Sequence, residues 1–131
     1  MNFAITGILI MMSLSHSALN IYQGKNRILL VFYPSSVDPL YKTQLNEIRK
    51  HEEDLKERDL IVIEVGPSDT RNLRQDFQVS SEHFTAILVG KDGGEKLRTQ
   101  HVILVGDLNA TIDKMPMRRE ELKKRPGFHQ G

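Results

Sequence analysis

The sequence contains no cysteine, and this absence excludes a large group of chemistries at once. Without a thiol the chain forms no disulfide, offers no thiolate to a metal and runs no Cys-x-x-Cys redox cycle. A net charge of +1 over 131 residues provides no field that would attract nucleic acid or an anionic membrane. The length fits one ordinary domain. We therefore expect a single folded unit whose function does not depend on sulfur chemistry.

Charged residues are also absent from the first twenty positions. Phe3 to Leu14 is a mostly apolar run with the length of a signal-peptide core, which is short for a membrane span. Ser15 and Ser17 supply the small side chains that a signal peptidase reads, and cleavage after Ala18 is a near alternative. We predict a signal peptide over residues 1–17 and an exported chain, periplasmic or extracellular, without stable membrane insertion after cleavage. Because no basic residue precedes the run, a buried first strand or an uncleaved anchor stays open.

Three apolar runs have strand length and the composition of strands that are buried on both faces. They are Ile28 to Tyr33, Leu60 to Val65 and Phe84 to Val89. Asp38-Pro39 marks a helix start after the first run, because aspartate caps a helix and proline fits its first turn. The apolar face of that helix is formed by Tyr41, Leu45, Ile48 and Leu55. A strand, a helix and a strand in this order predict a parallel crossover and an α/β fold.

The second half of the chain predicts short elements around a hairpin. Asp69 to Phe77 has the pattern of a short helix, and Asp92-Gly93-Gly94 provides the positive backbone angles of a tight antiparallel turn into Lys96 to Thr99. A phosphate-binding loop is the alternative for the glycines, but such a loop leads into a helix and this one has strand-like flanks. Gly106 to Met115 shows helical spacing, and Pro116 then breaks the helix or begins a new turn.

Three segments carry a resemblance to a known family: LIVIEV at Leu60 to Val65, LVGKDGGEKLR at Leu88 to Arg98 and IDKMPMRREE at Ile112 to Glu121. With the order of elements, they resemble a thioredoxin-like domain of unknown function, the P-DUDES family of small exported bacterial proteins and of vertebrate extracellular proteins with sushi repeats. The resemblance covers Asn26 to Leu122. It implies an α/β fold over residues 22–122, a thioredoxin-like three-layer sandwich with a mixed central sheet, a C-terminal β-hairpin and a closing helix. It supplies no catalytic residues.

The loop after the first strand bears on redox chemistry. Phe32-Tyr33-Pro34 is similar to an aromatic-proline segment of peroxiredoxins that precedes their reactive thiol, but Ser35 and Ser36 follow here. A serine hydroxyl is far less acidic than a thiol and cannot cycle through sulfur oxidation states, so thiol redox catalysis is excluded. The alternative function is an enzyme without a thiol, with a cleft around Ser35, Asp38 and His83. No nucleophile motif supports it, and the proline that usually lies in the loop before the third strand of thioredoxin-like proteins is missing.

Basic residues on the hairpin and in the last helical region form a candidate binding face. The preferred hypothesis is an exported, redox-inactive binding or interaction module that presents this face to a protein or polyanionic partner, and export makes nucleic acid an unsuitable one. One alternative is a solvated helix surface. Another is a structural clasp formed by the Met-Pro-Met-Arg run, if the arginines are buried and paired. The residues of the candidate binding face are Lys91, Lys96, Arg98, Arg118 and Arg119.

The five histidines are scattered, and no two of them stand at the spacing of metal ligands. We therefore expect no metal and no cofactor, and we assign no catalytic residue. Residues 125–131 are predicted to form a flexible tail.

Overall fold

The structure is a computed structural model that describes residues 17–125. The predicted signal peptide, apart from Ser17, and the predicted tail, apart from Arg125, lie outside the described residues. The described chain starts with a 3₁₀ helix, Ser17–Tyr22, in which Leu19 is 7% exposed and already belongs to the core. Packing of the domain thus begins slightly before the predicted boundary at residue 22.

The strands of the described chain are β1 (Arg27–Phe32), β2 (Leu60–Val65), β3 (Thr85–Val89) and β4 (Glu95–Thr99). Within the described residues they form a four-stranded sheet in the order β2-β1-β3-β4. β1 pairs in parallel with β2 and antiparallel with β3, and β3 pairs antiparallel with β4. The predicted apolar strands, their parallel crossover and the antiparallel hairpin are confirmed.

Helices cover both faces of this sheet. They are α1 (Pro39–Lys50), α2 (Glu52–Glu57), α3 (Leu73–Asp76), α4 (Val105–Asp113) and α5 (Pro116–Lys123). Leu29 and Val31 of β1 pack against α1, α2 and α4. Ile28, Leu30 and Phe32 pack on the other face, with α3 and the 3₁₀ helix. Because successive strand residues point to opposite faces, one apolar run fills both cores. The predicted thioredoxin-like three-layer sandwich is confirmed.

The single helix expected to run up to Leu55 is divided at His51. Asp38 caps α1 as predicted, since its Oδ2 accepts the N–H of Tyr41 at 3.0 Å. α1 ends at Lys50 and α2 begins at Glu52. Basic residues close α1 and acidic residues open α2, which is the arrangement that each helix dipole favours. The change from basic to acidic residues therefore marks the boundary between α1 and α2, which the spacing of the apolar residues does not reveal.

The hairpin turn and the closing helix each differ from the prediction in one respect. Gly93 has a φ of +85°, but Gly94 does not take a positive φ. Instead, the Gly94 N–H donates to Asp92 Oδ1 at 2.8 Å. Pro116 follows the second of its two predicted alternatives and begins a new helix, α5, because proline needs no N–H donor in a first turn. The closing element is therefore a corner formed by α4 and α5.

Candidate binding site

Glu121 of α5 ties the last helix to the sheet. Its carboxylate accepts hydrogen bonds from Arg27, at 3.2 Å from Nη1 and 3.1 Å from Nη2. Lys91 Nζ lies 2.7 Å from Glu121 Oε2 and 2.9 Å from Asp59 Oδ2. The side chains of Arg27 and Lys91 are 1% and 8% exposed. Because buried cations require partners, Glu121 fixes α5 to the start of β1 and to the β3–β4 hairpin.

Arg118, from the Met-Pro-Met-Arg run, is the second centre of these ion pairs. Its Nε lies 3.1 Å from Asp113 Oδ1, and its Nη2 lies 3.1 Å from Glu57 Oε1. Arg58 donates to both oxygens of the same Asp113, at 3.0 and 2.9 Å. Arg118 is 1% exposed, so this arginine, unlike the exposed Arg119, acts as a structural clasp that locks the α4–α5 corner to the end of α2. We call these residues the ion network: Arg27, Glu57, Arg58, Asp59, Lys91, Asp113, Arg118 and Glu121.

Glu121 and Asp113 of the ion network are held in their charged form. Burial raises the pKa of Glu121, but hydrogen bonds from Arg27 and Lys91 outweigh burial and keep the pKa below its usual value. Burial likewise opposes ionisation of Asp113, and hydrogen bonds from the two neighbouring arginines lower its pKa. A carboxylate whose pKa is lower in the folded than in the unfolded chain stabilises the fold while it is ionised.

Acid is therefore expected to destabilise the domain through Glu121 and Asp113. Their unfolded-state pKa values are about 4.3 and 3.9, so their contribution is complete above about pH 5 and is lost as the pH falls through the folded-state values. The urea midpoint, followed by circular dichroism, should be flat between about pH 5 and 7 and should fall steeply below about pH 4. In the Asp113→Asn variant, the urea midpoint should fall less steeply as the pH is lowered. A midpoint that stays flat down to about pH 3 would contradict this assignment.

A cleft of about 330 Å³ opens beside the ion network, between the β3–β4 hairpin and the α4–α5 corner. Basic side chains from both elements line it, together with an apolar segment that begins α5. We call it the basic cleft, and its lining residues are Arg27, Gly90, Lys91, Asp92, Lys96, Thr111, Lys114, Met115, Pro116 and Met117.

Two features make the basic cleft suitable for an anion. Lys114 is exposed, and its ammonium group has no hydrogen-bond or ion-pair partner among residues 17–125. α5 begins at the cleft with Pro116, and no side chain caps its N-terminus, which leaves the positive end of the helix dipole uncompensated. The cleft thus offers two positive groups that the fold itself does not neutralise.

The candidate binding face predicted from the sequence is not one surface. Lys91 and Lys96 line the basic cleft. Arg118 is buried in the ion network. Arg98 on β4 forms an ion pair within its own strand and donates to a backbone carbonyl, while Arg119 is exposed on α5. The structure therefore brings two of these residues together at the cleft and assigns Arg118 to the clasp.

Sequence reasoning did not place Arg27 and Lys114 in the site. Arg27 is the first residue of β1 and directly precedes its apolar run, a position at which a charged residue normally marks the solvated end of the strand. Lys114 lies between the two helices of the corner, so its position depends on the break at Pro116. Met115 and Met117 belong to the Met-Pro-Met-Arg run that the sequence singled out. That both line one cleft could be seen only in the folded chain.

The residues of the alternative enzyme cleft either form hydrogen bonds with nearby backbone groups or are exposed. Asp38 caps α1, and Ser35 Oγ accepts the N–H of Val37 at 3.2 Å. His83 is exposed just before β3. Within residues 17–125 no hydrogen bond joins the side chains of Ser35, Asp38 and His83, so the pairing of nucleophile and base that such catalysis requires is not formed.

The two tyrosines beside the Ser35 loop stack on each other. The rings of Tyr33 and Tyr41 stack with their centroids 3.8 Å apart and their planes 15° apart. The Tyr41 hydroxyl donates to Glu64, and this hydrogen bond raises the pKa of Tyr41 far above its usual value. The Tyr41 phenol therefore stays protonated at neutral pH and does not act as a base.

A larger cavity of about 450 Å³ lies at the end of β2. Arg74 lines it, but its guanidinium donates to the backbone carbonyls of Tyr33, Val65 and Ser80. This charge ties loops together and is not free for a ligand. The smaller basic cleft is therefore the better candidate for a binding site.

Residues 17–125 contain no group of three or more histidine and carboxylate side chains that could hold a metal ion. No helix in that range has the length and apolar composition needed to cross a membrane. The expectation that the protein binds no metal stays a prediction.

Residues 18–121 match the sequence profile of a family described as Domain of unknown function (DUF4174). The chain belongs to the DUF4174 family. No curated protein matches this DUF4174 chain. With the fold described above, the family match confirms the prediction of a thioredoxin-like domain of unknown function.

Solved structures similar to this DUF4174 chain include thioredoxin-like proteins and peroxiredoxins. Trxlp from Edwardsiella tarda EIB202 is 24% identical, and the match covers 73% of this chain and 91% of that one, with a TM-score of 0.57. Plasmodium yoelii thioredoxin peroxidase I is 14% identical, with 86% of each chain covered and a TM-score of 0.61. Reduced Plasmodium vivax 2-Cys peroxiredoxin is 16% identical, with 79% and 83% covered and a TM-score of 0.60. At these identities the likeness shows the fold alone.

Proposed function

We propose that this DUF4174 chain is an exported, redox-inactive binding domain whose basic cleft takes an anionic ligand. The observation that carries the proposal is the meeting of two positive groups at one cleft: the unpaired Lys114 and the uncapped N-terminus of α5. Charged side chains and helix N-termini are common partners of bound anions. The ion network holds these elements in place, so the free protein already has the geometry that binding needs.

Redox inactivity is supported by the residues of the loop after β1. Ser35 and Ser36 stand there, the chain has no cysteine, and the neighbouring tyrosines are stacked on one another. A domain with this loop retains the thioredoxin-like frame without the thiolate that disulfide exchange requires. Binding is therefore the function that we assign to it.

Export is proposed from the apolar run at residues 3–14 and the small residues after it. One observation supports a cleavage site near Ser17, since the family match starts at residue 18. Expression of the whole sequence in an exporting bacterial host should give a periplasmic or secreted product whose intact mass corresponds to a start at Ala18 or Leu19. A full-length cytoplasmic product would contradict the proposal.

Charge reversal at Lys114 is expected to weaken anion binding. The test is a titration of ¹⁵N-labelled mature protein with inorganic phosphate, in which the backbone amides of Met117 and Arg118 report on the start of α5. Lys114→Glu should weaken phosphate binding by roughly fivefold to thirtyfold, because an attraction of about 1 kcal/mol becomes a repulsion of similar size. The matched control is Lys50→Glu, the same substitution at an exposed site on α1. An equal loss in both variants, or shifts spread over the whole surface, would reject the cleft as the site.

A further inference from the structure

The basic cleft has an apolar side that binding of a simple anion would not use. Met115, Pro116 and Met117 line it together with the basic residues, and Met117 is 43% exposed. Methionine is unbranched and polarisable, so it adapts to apolar groups of different shapes. A ligand that covers these side chains gains the free energy of removing apolar surface from water. The cleft is therefore built for a ligand that is partly apolar.

The charge that remains in the cleft is small. Arg27 and Lys91 are compensated by the carboxylates of the ion network. Asp92 pairs with Lys96 at 2.7 Å. Lys114 is then the one lining cation without a carboxylate partner in the described chain. One uncompensated positive charge matches a carboxylate, whereas a phosphate monoester, with a charge of about −1.5 to −2 at pH 7, exceeds it.

We infer that the ligand of the basic cleft is a small amphipathic carboxylic acid. Its carboxylate lies near Lys114 and the N-terminus of α5, and its apolar body lies on Met115 and Met117. The volume of about 330 Å³ is at the low end for small-molecule sites, which suits an acid with a chain of moderate length. This inference rests on the proposed function and names the ligand class of the same site.

Three probes separate the head group from the apolar body. Decanoate carries both, acetate carries the carboxylate alone, and decanol carries the chain alone. Each is titrated into ¹⁵N-labelled mature protein below its aggregation concentration, with the amides of Met117 and Arg118 as reporters. Decanoate should bind at least about tenfold more tightly than acetate, because its chain buries several methylene groups. It should also bind about fivefold more tightly than decanol, because only decanoate pairs with the lysine.

Two variants test which residues cause these differences in affinity. Lys114→Gln should weaken decanoate binding about fivefold and leave decanol binding unchanged. Met117→Gln should weaken decanoate binding and leave acetate binding unchanged. Lys50→Gln is the matched control and should change neither affinity. Thermal unfolding of each variant, compared with the parent protein, separates loss of binding from loss of folding.

The outcomes distinguish this inference from the proposed function. Equal affinities for decanoate and acetate would overturn the amphipathic ligand and leave the anion site standing. Equal affinities for decanoate and decanol would show an apolar site in which charge has no part, which would overturn both. Absence of shifts at the cleft with decanoate, acetate and phosphate alike would reject the proposed function itself.

Discussion

Replacement of Glu121 by glutamine is expected to lower the free energy of unfolding by about 3–5 kcal/mol. The substitution keeps the shape of the side chain and removes its charge, so Arg27 and Lys91, at 1% and 8% side-chain exposure, remain as buried cations. Lys91 keeps the carboxylate of Asp59 as a partner, but Arg27 loses its carboxylate partner and keeps only neutral acceptors, including the backbone carbonyl of Arg58. Domains of this size are stable by about 5–15 kcal/mol. Urea unfolding followed by circular dichroism measures the loss.

Glu120→Gln is the matched control on the same helix. The side chain of Glu120 is 60% exposed and pairs with Lys123 at 3.2 Å on the surface, so its loss should cost less than about 1 kcal/mol. A triple variant, Arg27→Met, Lys91→Met and Glu121→Leu, should recover most of the stability, because it leaves no buried charge without a partner. If Glu121→Gln is no more harmful than Glu120→Gln, the ion network does not hold α5.

Gln44→Met is the second large effect, with an expected loss of about 2–4 kcal/mol. Gln44 is 0% exposed. Its Oε1 accepts the N–H of Ile103 at 2.8 Å, and its Nε2 donates to the carbonyl of Ile103 at 3.0 Å. Methionine of similar length leaves both backbone groups buried and unpaired. Chemical unfolding gives the stability change, and the phosphate titration should show weaker binding, because Ile103 leads into α4 and the basic cleft.

The control for Gln44 is the same substitution at Gln75, which is exposed on α3. Gln75→Met should change the free energy of unfolding by less than about 0.5 kcal/mol. A second bond supports the same entry to α4, since Glu47 Oε2 accepts the N–H of Val105 at 2.8 Å. Equal losses at Gln44 and Gln75 would show that the buried amide does not position α4.

The strands could be predicted from the sequence almost to the residue. The apolar runs predicted at Ile28 to Tyr33 and Leu60 to Val65 correspond to β1, Arg27–Phe32, and β2, Leu60–Val65. β1 is buried on both faces and forms a continuous apolar run from Ile28, so its ends are sharp. β2, at the edge of the sheet, is apolar except for the exposed Glu64. The break at His51 was harder to see because the apolar spacing continues across it, and only the change from basic to acidic residues marks it.

The candidate site was harder to predict from the sequence, because the residues that pair in it are far apart along the chain. Arg27 and Glu121 are separated by 94 positions, and Arg58 and Asp113 by 55. No local pattern links charges across such distances. Arginine is rarely fully buried, so a basic run after Pro116 predicts a solvated surface or a binding face more readily than a clasp. Arg118 acts as a clasp because it is buried, and this burial is visible only in the folded chain.

Binding at the basic cleft is tested most directly by a chemical-shift map of the ¹⁵N-labelled protein titrated with phosphate and with decanoate. We expect the largest shifts in the hairpin at residues 91–96 and at the corner of residues 114–118. The loop after β1 and the start of α1 form the rival site, because Val37 and Leu40 are 69% and 38% exposed there. Largest shifts in residues 33–40 would contradict binding at the basic cleft and would place it beside the Ser35 loop.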